Sequence, residues 1–278
     1  MARATANCAA NPRLGFVASA SVNGIEIYYE RRGEGPPVLF LNGSGATLAA
    51  MKALLDVFAS RCDLLAHDQR GLGRTEIPSG PFAMADYAAD AVGLLDHIGW
   101  DSCRVVGVSF GGMVAQELAA TWPDRVNRLA LLCTSPGGTL GSFPLQELVE
   151  LTDEDRAARY LPILDTRFTP EWLASHESDR QLAEFVTRTA GTKSEQVLRG
   201  EAEQLDARRR HDVLDRLDRI ACPTLVAAGR CDGIAPLANS EAIAARVPNS
   251  ELRIYEGGHA FFAQDPGAFP DILDFLTA

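Results

Sequence analysis

The chain has 278 residues, 46% of them hydrophobic, and this length fits one large α/β domain that carries an insertion. Its 26 Lys and Arg against 37 Asp and Glu give a formal net charge of −11, which disfavours nucleic acid or an anionic membrane as the main partner. We therefore expect the ligand to be a neutral or apolar small molecule.

The predicted elements begin with an antiparallel hairpin, because two strand-like segments, 16–21 and 25–30, flank Asn23-Gly24, a dipeptide that readily takes positive φ angles. From Val38 onward, short apolar segments alternate with amphipathic ones. Such alternation predicts an α/β fold with a mostly parallel central sheet and helices on both faces. Further strands are predicted at 38–41, 62–66, 104–108, 128–133, 224–228 and 251–255, and helices at 48–60, 84–98, 113–120, 237–246 and 266–276.

Between residues 139 and 217 the strand signals vanish, and charged, amphipathic segments with helical spacing replace them. An insertion at the carboxyl edge of a parallel sheet would lie over the ligand crevice expected there. We therefore predict a core of residues 16–138 and 218–278 and a helical lid, or cap, of residues 139–217. Helices within the lid are predicted at 153–161, 171–176, 180–189 and 195–210.

The six cysteines are scattered without paired spacing, so we expect neither a disulfide framework nor a zinc site. Residues 1–15 are expected to form a loose tail, since polar residues interrupt their apolar character and leave no secretory-signal core. No later stretch reaches the roughly 20 apolar residues of a membrane span. These features favour a cytoplasmic protein, and a homodimer is left open.

The most informative motif is Gly107-Val108-Ser109-Phe110-Gly111, which places one serine between two glycines where a predicted strand becomes a helix. A serine in such a sharp turn needs small flanking residues, because larger side chains would collide with neighbouring backbone. Ser109 is therefore the candidate nucleophile. The alternative is a serine that only caps the following helix.

A serine hydroxyl needs a base within reach and an acid that orients the base. His259 follows the last predicted strand, and Asp232 follows the strand at 224–228, so both would stand at the carboxyl edge of the sheet. The alternatives are a solvated or helix-capping role for His259 and an Asx turn for Asp232. The remaining histidines are expected to be structural: His67, His97, His176 and His211.

The loop Asn42-Gly43-Ser44-Gly45 follows the strand at 38–41 and carries no bulky side chain, as a loop that holds a developing oxyanion must. We expect the backbone N–H groups of Ser44 and Phe110 to form that oxyanion hole. An ordinary strand-ending turn is the alternative for Asn42-Gly43, and Ser44 could instead donate its hydroxyl to substrate.

Together with Asp68-Gln69-Arg70-Gly71-Leu72-Gly73-Arg74-Thr75, these motifs resemble those of the α/β-hydrolase superfamily, from Ile25 to the C-terminus. The similarity is greatest to lidded enol-lactone hydrolases, haloperoxidase-like hydrolases and carboxylesterases. The order Ser109, Asp232, His259 is also that of the superfamily. The resemblance implies a serine hydrolase that cleaves an ester or lactone through an acyl-enzyme and needs no metal or organic cofactor.

Two residues depart from the pattern of the superfamily. Asn42 stands where many relatives begin the oxyanion loop with His, and Gln264 stands where relatives commonly carry Glu after the catalytic histidine. Neither change removes a reacting group, but the first leaves the polarity of the pocket floor open.

Two arginine features invite an anion-binding interpretation, and each has a simpler one. Arg70 is expected to pair with Asp68 or with backbone carbonyls and so to shape its loop. The run Arg208-Arg209-Arg210 is expected to be the solvated end of a helix, where cations suit the helix dipole.

The same three reacting residues are compatible with other chemistry. A C–C bond hydrolase acting on vinylogous diketones, an acyltransferase and a perhydrolase all remain open. A ligand-binding protein without hydrolytic activity is a further alternative, against which the intact set of reacting residues argues. Epoxide hydrolases and haloalkane dehalogenases are disfavoured, because they need a carboxylate where this chain has Ser109.

Overall fold

The protein is represented by a computed structural model that describes residues 16–188 and 194–278. The predicted loose tail, residues 1–15, lies outside the described residues, as does the last residue of the helix predicted at 180–189.

One eight-stranded sheet forms the centre of the described structure. Its strands are β1 (Phe16–Val22), β2 (Ile25–Arg32), β3 (Pro37–Leu41), β4 (Asp63–His67), β5 (Cys103–Val108), β6 (Val126–Leu132), β7 (Thr224–Gly229) and β8 (Ser250–Tyr255). Their spatial order is β1-β2-β4-β3-β5-β6-β7-β8. The hairpin β1–β2 and the pair β2–β4 are antiparallel, and every pairing from β4 through β8 is parallel.

The described helices lie on both faces of this sheet and at its carboxyl edge. They are α1 (Lys52–Ala59), α2 (Met84–Ile98), α3 (Phe110–Thr121), α4 (Asp153–Leu164), α5 (Pro170–Ser175), α6 (Glu177–Thr187), α7 (Glu195–Arg209), α8 (Leu237–Ala244), α9 (Phe261–Gln264) and α10 (Ala268–Thr277), with 3-10 turns at Pro123–Arg125, Leu145–Leu148 and Leu214–Arg219. Within residues 16–188 and 194–278, none of the helices combines the length and hydropathy needed to cross a bilayer.

Both faces of the sheet are buried, which explains why the central strands read as continuous apolar runs. In β3, Leu39 points to a cluster shared with α2, α3 and α8, whereas Phe40 points to a cluster shared with α1 and α10. Successive side chains of a strand alternate between faces, so one apolar run serves two cores. The predicted mostly parallel sheet with helices on both faces is confirmed.

The largest difference from prediction concerns α1, which begins at Lys52 rather than near residue 48. The Leu48 N–H donates to Asp68 Oδ1 at 2.7 Å, and the Ala50 N–H donates to Thr47 Oγ1 at 3.3 Å. These side-chain acceptors hold residues 47–51 in turns. The larger apolar residues there pack against the core without forming a helix.

Helices α4 to α7 fall between β6 and β7, where the helical lid is predicted. The end of α4 contacts the loops that follow β7 and β8, since Ile163 O accepts from the Gly233 N–H at 3.0 Å and Leu164 O accepts from the His259 N–H at 2.6 Å. Helix α7 meets the loop after β4, because a Cβ on Gly71 would lie only 3.2 Å from Gly200 Cα. Two helices of this segment therefore lie against the carboxyl edge of the sheet.

Candidate active site

Ser109 occupies the single residue between β5 and α3, with φ 55° and ψ −113°. This is a strained conformation for a residue with a side chain, and surrounding contacts must hold it. The Ser109 N–H donates to Leu132 O at 2.8 Å, and the Thr134 hydroxyl donates to Ser109 O at 2.7 Å. The turn thereby lifts the Ser109 hydroxyl to the carboxyl edge of the sheet.

The two glycines of the motif make this turn possible. A Cβ on Gly107 would lie 2.7 Å from Gly112 Cα, inside α3, and a Cβ on Gly111 would lie 2.7 Å from Asn42 O and still closer to Leu41 O. Both distances are shorter than real Cβ contacts. The strand, the helix and the loop after β3 can therefore approach each other only without these side chains.

The structure brings Ser109, His259 and Asp232 together from three different loops. Ser109 Oγ lies 2.9 Å from His259 Nε2, and His259 Nδ1 lies 2.8 Å from Asp232 Oδ2. The other oxygen of Asp232 accepts two backbone N–H bonds at 2.8 Å, from Ile234 and Ala235. With Nδ1 donating to Asp232, Nε2 is free to accept the proton of the Ser109 hydroxyl.

Gln264 connects the histidine loop to the segment between β6 and β7. Its Oε1 accepts the Gly258 N–H at 2.9 Å, and its Nε2 donates to Asp165 Oδ2 at 2.8 Å and to Asp179 Oδ1 at 3.0 Å. Burial works against ionisation of Asp165, but hydrogen bonds from Arg167 outweigh it and lower the pKa of Asp165. An amide suits this position because it accepts on one side and donates to two carboxylates on the other.

The loop after β3 stands directly beside the serine. A Cβ on Gly43 would lie 3.7 Å from Ser109 Cβ, an ordinary contact. The Gly45 N–H donates to Gln204 Oε1 at 2.7 Å and the Ala46 N–H to Gly43 O at 3.2 Å. Among the described residues no acceptor takes the Ser44 N–H, the donor just before these two.

Phe110 is the first residue of α3, so its N–H faces out of the helix start beside Ser109. Its ring packs edge-on against Tyr87, with 5.0 Å between ring centroids, and is fully buried. The side chain therefore belongs to the core, and the backbone is what Phe110 offers to a ligand. The positions of Ser44 and Phe110 fit the oxyanion-hole prediction, which stays a prediction.

The floor of the site is polar. Asn42 is fully buried, and within residues 16–188 and 194–278 neither atom of its side-chain amide has a hydrogen-bond partner. The Ser44 hydroxyl is buried without a partner in the same way. Buried polar groups are normally hydrogen-bonded, so the Asn42 amide and the Ser44 hydroxyl leave polar atoms available beside the candidate nucleophile.

The expectation of a solvated helix end is wrong for Arg208, although Arg209 is exposed as expected. Arg208 is only 5% exposed, because the buried face of α7 consists of Gly200, Gln204, Ala207 and Arg208. Its Nη1 donates to Phe143 O at 2.7 Å. Burial lowers the pKa of Arg208 to about 10, and the negative charge of Asp232 opposes this shift.

The expected pairing of Arg70 with Asp68 is also wrong. Arg70 holds Asp90 through two hydrogen bonds of 2.7 Å, from Nε and Nη2. Asp68 is already occupied, since its carboxylate accepts the backbone N–H groups of Leu48 and Arg74. Arg70 shapes its loop as predicted, but through a different carboxylate.

The other four histidines lie outside the hydrogen-bonded set. His67 and His211 are buried, and burial lowers the pKa of each to about 4. His176 stacks on Trp172 with 3.7 Å between ring centroids, and His97 packs edge-on against Tyr29. In the described part of the chain no cluster of three His, Cys, Asp or Glu side chains is arranged to hold a metal ion.

Sequence comparison identifies the family. Residues 36–266 match the family model described as alpha/beta hydrolase fold. The poly(3-hydroxyalkanoate) depolymerase of Ectopseudomonas oleovorans is 29% identical over 244 residues, which cover 86% of this chain and 84% of that protein. The 3-oxoadipate enol-lactonase 2 of Acinetobacter baylyi is 27% identical over 236 residues, which cover 84% and 85%.

Structure comparison shows the same fold. The enol-lactonase from Burkholderia xenovorans LB400 superposes with a TM-score of 0.77, covering 94% of this chain and 100% of that one. At 23% identity this likeness bears on the fold alone. Because the family model spans most of the sequence, and the two relatives above are a depolymerase and a lactonase, the chain belongs to the α/β-hydrolase fold family of enzymes.

Proposed function

We propose that this enzyme is a serine hydrolase that cleaves a small-molecule ester or lactone through an acyl-enzyme. The observation that carries the proposal is the hydrogen-bonded chain from Ser109 through His259 to Asp232, with distances of 2.9 and 2.8 Å, at the carboxyl edge of the sheet. Open α/β sheets bind their ligands at this edge.

The first half of the reaction transfers the acyl group to the protein. As Ser109 Oγ attacks the carbonyl carbon, His259 Nε2 takes the hydroxyl proton, and Asp232 stabilises the imidazolium that forms. The Ser44 and Phe110 N–H groups hold the oxyanion of the tetrahedral intermediate. The C–O bond to the alcohol then breaks, and His259 returns the proton to the departing oxygen.

The second half releases the acyl group. His259 takes a proton from water as the water oxygen attacks the acyl carbon, and the bond to Ser109 Oγ breaks with return of that proton to the serine. With a lactone, the alcohol and the acid released are two ends of one molecule. No metal or organic cofactor enters these steps.

The relatives support a carbonyl substrate: several are named putative carbamate hydrolases, and two are named for compounds with an ester-type bond. One of them is named for an enol-lactone, which is a cyclic ester, and another for a poly(3-hydroxyalkanoate). Residues 139–217 are proposed to act as a lid, because the carbonyls at the end of α4 accept backbone N–H groups of the Asp232 and His259 loops and α7 lies on the oxyanion loop. A lid in this position would exclude bulk water and select substrates.

The test is a substrate panel with matched variants. Purified protein is assayed against p-nitrophenyl esters of rising acyl length, a lactone set and a vinylogous diketone set. We expect ester or lactone hydrolysis, a loss of at least about 10³-fold in kcat for Ser109→Ala, and full activity for the exposed control Ser60→Ala.

Turnover that survives in Ser109→Ala would overturn the proposal. Cleavage of the diketones alone would favour the C–C bond hydrolase, and transfer of the acyl group to added alcohol or peroxide in preference to water would favour the transferase or perhydrolase.

A further inference from the structure

Helix α7 buries a guanidinium without a countercharge in contact. Arg208 is only 5% exposed, yet none of the described carboxylates lies within ion-pair distance of it. Its Nη1 is engaged by Phe143 O, whereas Nε and Nη2 are buried without a hydrogen-bond partner in the described part of the chain. A buried charge without a partner costs several kcal/mol, so the unpaired edge of Arg208 needs a partner, and a ligand can supply it.

The free edge of Arg208 is the edge that binds carboxylates elsewhere in this chain. Within residues 16–188 and 194–278, three arginines each use Nε and Nη2 together to hold the two oxygens of one carboxylate. The pairs are Arg31 with Asp63, Arg70 with Asp90 and Arg167 with Asp165, at 2.6 to 2.9 Å. A planar group with two oxygens therefore matches the two parallel N–H donors that Arg208 leaves free.

Arg208 lies near the reacting residues. Phe143, whose carbonyl holds Nη1, donates its own N–H to Ile234 O, and Ile234 lies two residues after Asp232. The charge of Asp232 also raises the pKa of Arg208 against the effect of burial. Arg208 therefore lies close enough to the site for the two charges to interact.

A second polar side chain on the same face of α7 extends this surface toward the oxyanion loop. Gln204 precedes Arg208 by four residues, one helical turn, and is fully buried. Its Oε1 accepts the Gly45 N–H, and its Nε2 is buried without a partner among the described residues. One face of α7 thus offers three unused N–H donor groups between the oxyanion loop and the Asp232 loop.

We propose that Arg208, assisted by Gln204, forms a subsite for a free carboxylate of the substrate, so that the preferred substrate is an ester or lactone with an acid group at the end remote from the bond that breaks. This inference rests on the proposed hydrolase function and names its substrate class. The net charge of −11 led to the expectation of a neutral or apolar ligand. The proposal differs from that expectation, because the buried cation Arg208 would attract an acidic group locally.

The competing explanation is that Arg208 serves Asp232 as a countercharge. The two explanations differ in what the removal of Arg208 does. A substrate subsite affects the acid-bearing substrate and acts mainly on KM, whereas a countercharge to Asp232 affects every substrate and acts mainly on kcat.

The test compares monoethyl esters of linear dicarboxylic acids, from succinic to suberic acid, with the same esters in which the free acid is a primary amide. We expect the unmodified enzyme to prefer the acid of the best-fitting length by at least about 10-fold in kcat/KM. In Arg208→Met the acid-to-amide ratio should fall by at least about 30-fold through KM, as expected for loss of a buried charge pair, and Arg208→Lys should restore part of it.

Arg209→Met is the matched control, because it removes the same charge from the neighbouring position, where the side chain is 62% exposed. It should keep the full acid preference. Gln204→Met provides a second variant that retains the charge and should reduce the preference by a smaller factor. Thermal unfolding of each variant shows whether it folds.

Equal turnover of acid and amide by the unmodified enzyme would overturn the subsite while leaving the hydrolase proposal intact, as would an equal loss on both substrates in Arg208→Met. Calorimetry of adipate binding to Ser109→Ala, with and without Arg208→Met, measures the subsite without turnover. If no ester is hydrolysed but adipate binds only when Arg208 is present, the hydrolase proposal fails and the subsite stands.

Discussion

Gly111→Ala tests how far activity depends on the packing around the serine turn, because it changes that packing and none of the reacting groups. The substitution adds one methyl group at the start of α3 and leaves Ser109, His259 and Asp232 in place. That methyl would point at the carbonyls of Leu41 and Asn42, where β3 runs into the oxyanion loop.

The size of the effect follows from the contact distances. The new Cβ would lie 2.7 Å from Asn42 O, whereas an ordinary contact begins near 3.4 Å, so this carbonyl must retreat by about 0.7 Å (3.4 − 2.7) and the nearer Leu41 carbonyl by more. A displacement of about 1 Å between a nucleophile and its oxyanion donors costs about 10²-fold in rate. Overpacking of this kind also lowers the free energy of unfolding by about 1–3 kcal/mol.

The assay is kcat/KM on the best ester of the panel, together with urea unfolding. Gly141→Ala is the matched control, because its added Cβ would lie 3.6 Å from Gly138 O, an ordinary contact. We expect a loss of about 100-fold for Gly111→Ala and an unchanged value for Gly141→Ala. Near-normal activity and stability of Gly111→Ala would refute the packing argument.

The other predictions concern the acid, the histidine loop and a buried histidine. Asp232→Asn removes the charge that orients His259, so kcat should fall by about 10³- to 10⁴-fold with little change in KM; a loss below tenfold would contradict this role. Gln264→Glu places a further carboxylate against that of Asp165, so urea unfolding should show a loss of about 1–3 kcal/mol, and an unchanged midpoint would contradict the bridging role. Burial lowers the pKa of His67 from 6.5 to about 4. Between pH 6.5 and pH 4 the unfolded chain binds a proton at His67 and the folded chain does not. The free energy of unfolding therefore falls as the pH decreases below 6.5, and this loss reaches about 3 kcal/mol at pH 4. Urea titrations of His67→Gln should show a flatter pH profile than the exposed control His97→Gln, and identical profiles would count against the effect.

The strands of the parallel sheet could be predicted because burial on both faces gives them unbroken apolar runs. The residues that approach each other in the site could be predicted for a related reason: Ser109 and Asp232 each follow such a strand, His259 follows the edge strand β8, and the carboxyl ends of parallel strands share one edge. Local pattern and topology were sufficient at these positions.

The role of Arg208 could not be predicted in the same way. Three consecutive arginines look alike in sequence, and each helical residue turns the side chain by about 100°, so the docking of the helix decides which one is buried. That docking depends on the backbone contact of Gly200 with Gly71. The only local signal is the spacing of four among Gly200, Gln204 and Arg208, which marks one face of α7.

Partners that lie far apart along the chain leave no signal in a single sequence. Gln264 donates to carboxylates 99 and 85 residues away, and Arg70 selects Asp90 because Asp68 already binds two backbone N–H groups. Which carboxylate accepts from a given donor therefore depends on the folded structure. The boundaries of the lid, the cytoplasmic location and a homodimer stay predictions.

The most direct measurement of the central claim is covalent labelling with a fluorophosphonate serine probe, followed by peptide mass spectrometry. We expect a single modified residue, Ser109, and no labelling of Ser109→Ala or of protein unfolded before exposure to the probe. A label on another residue, or one that persists in Ser109→Ala, would contradict it.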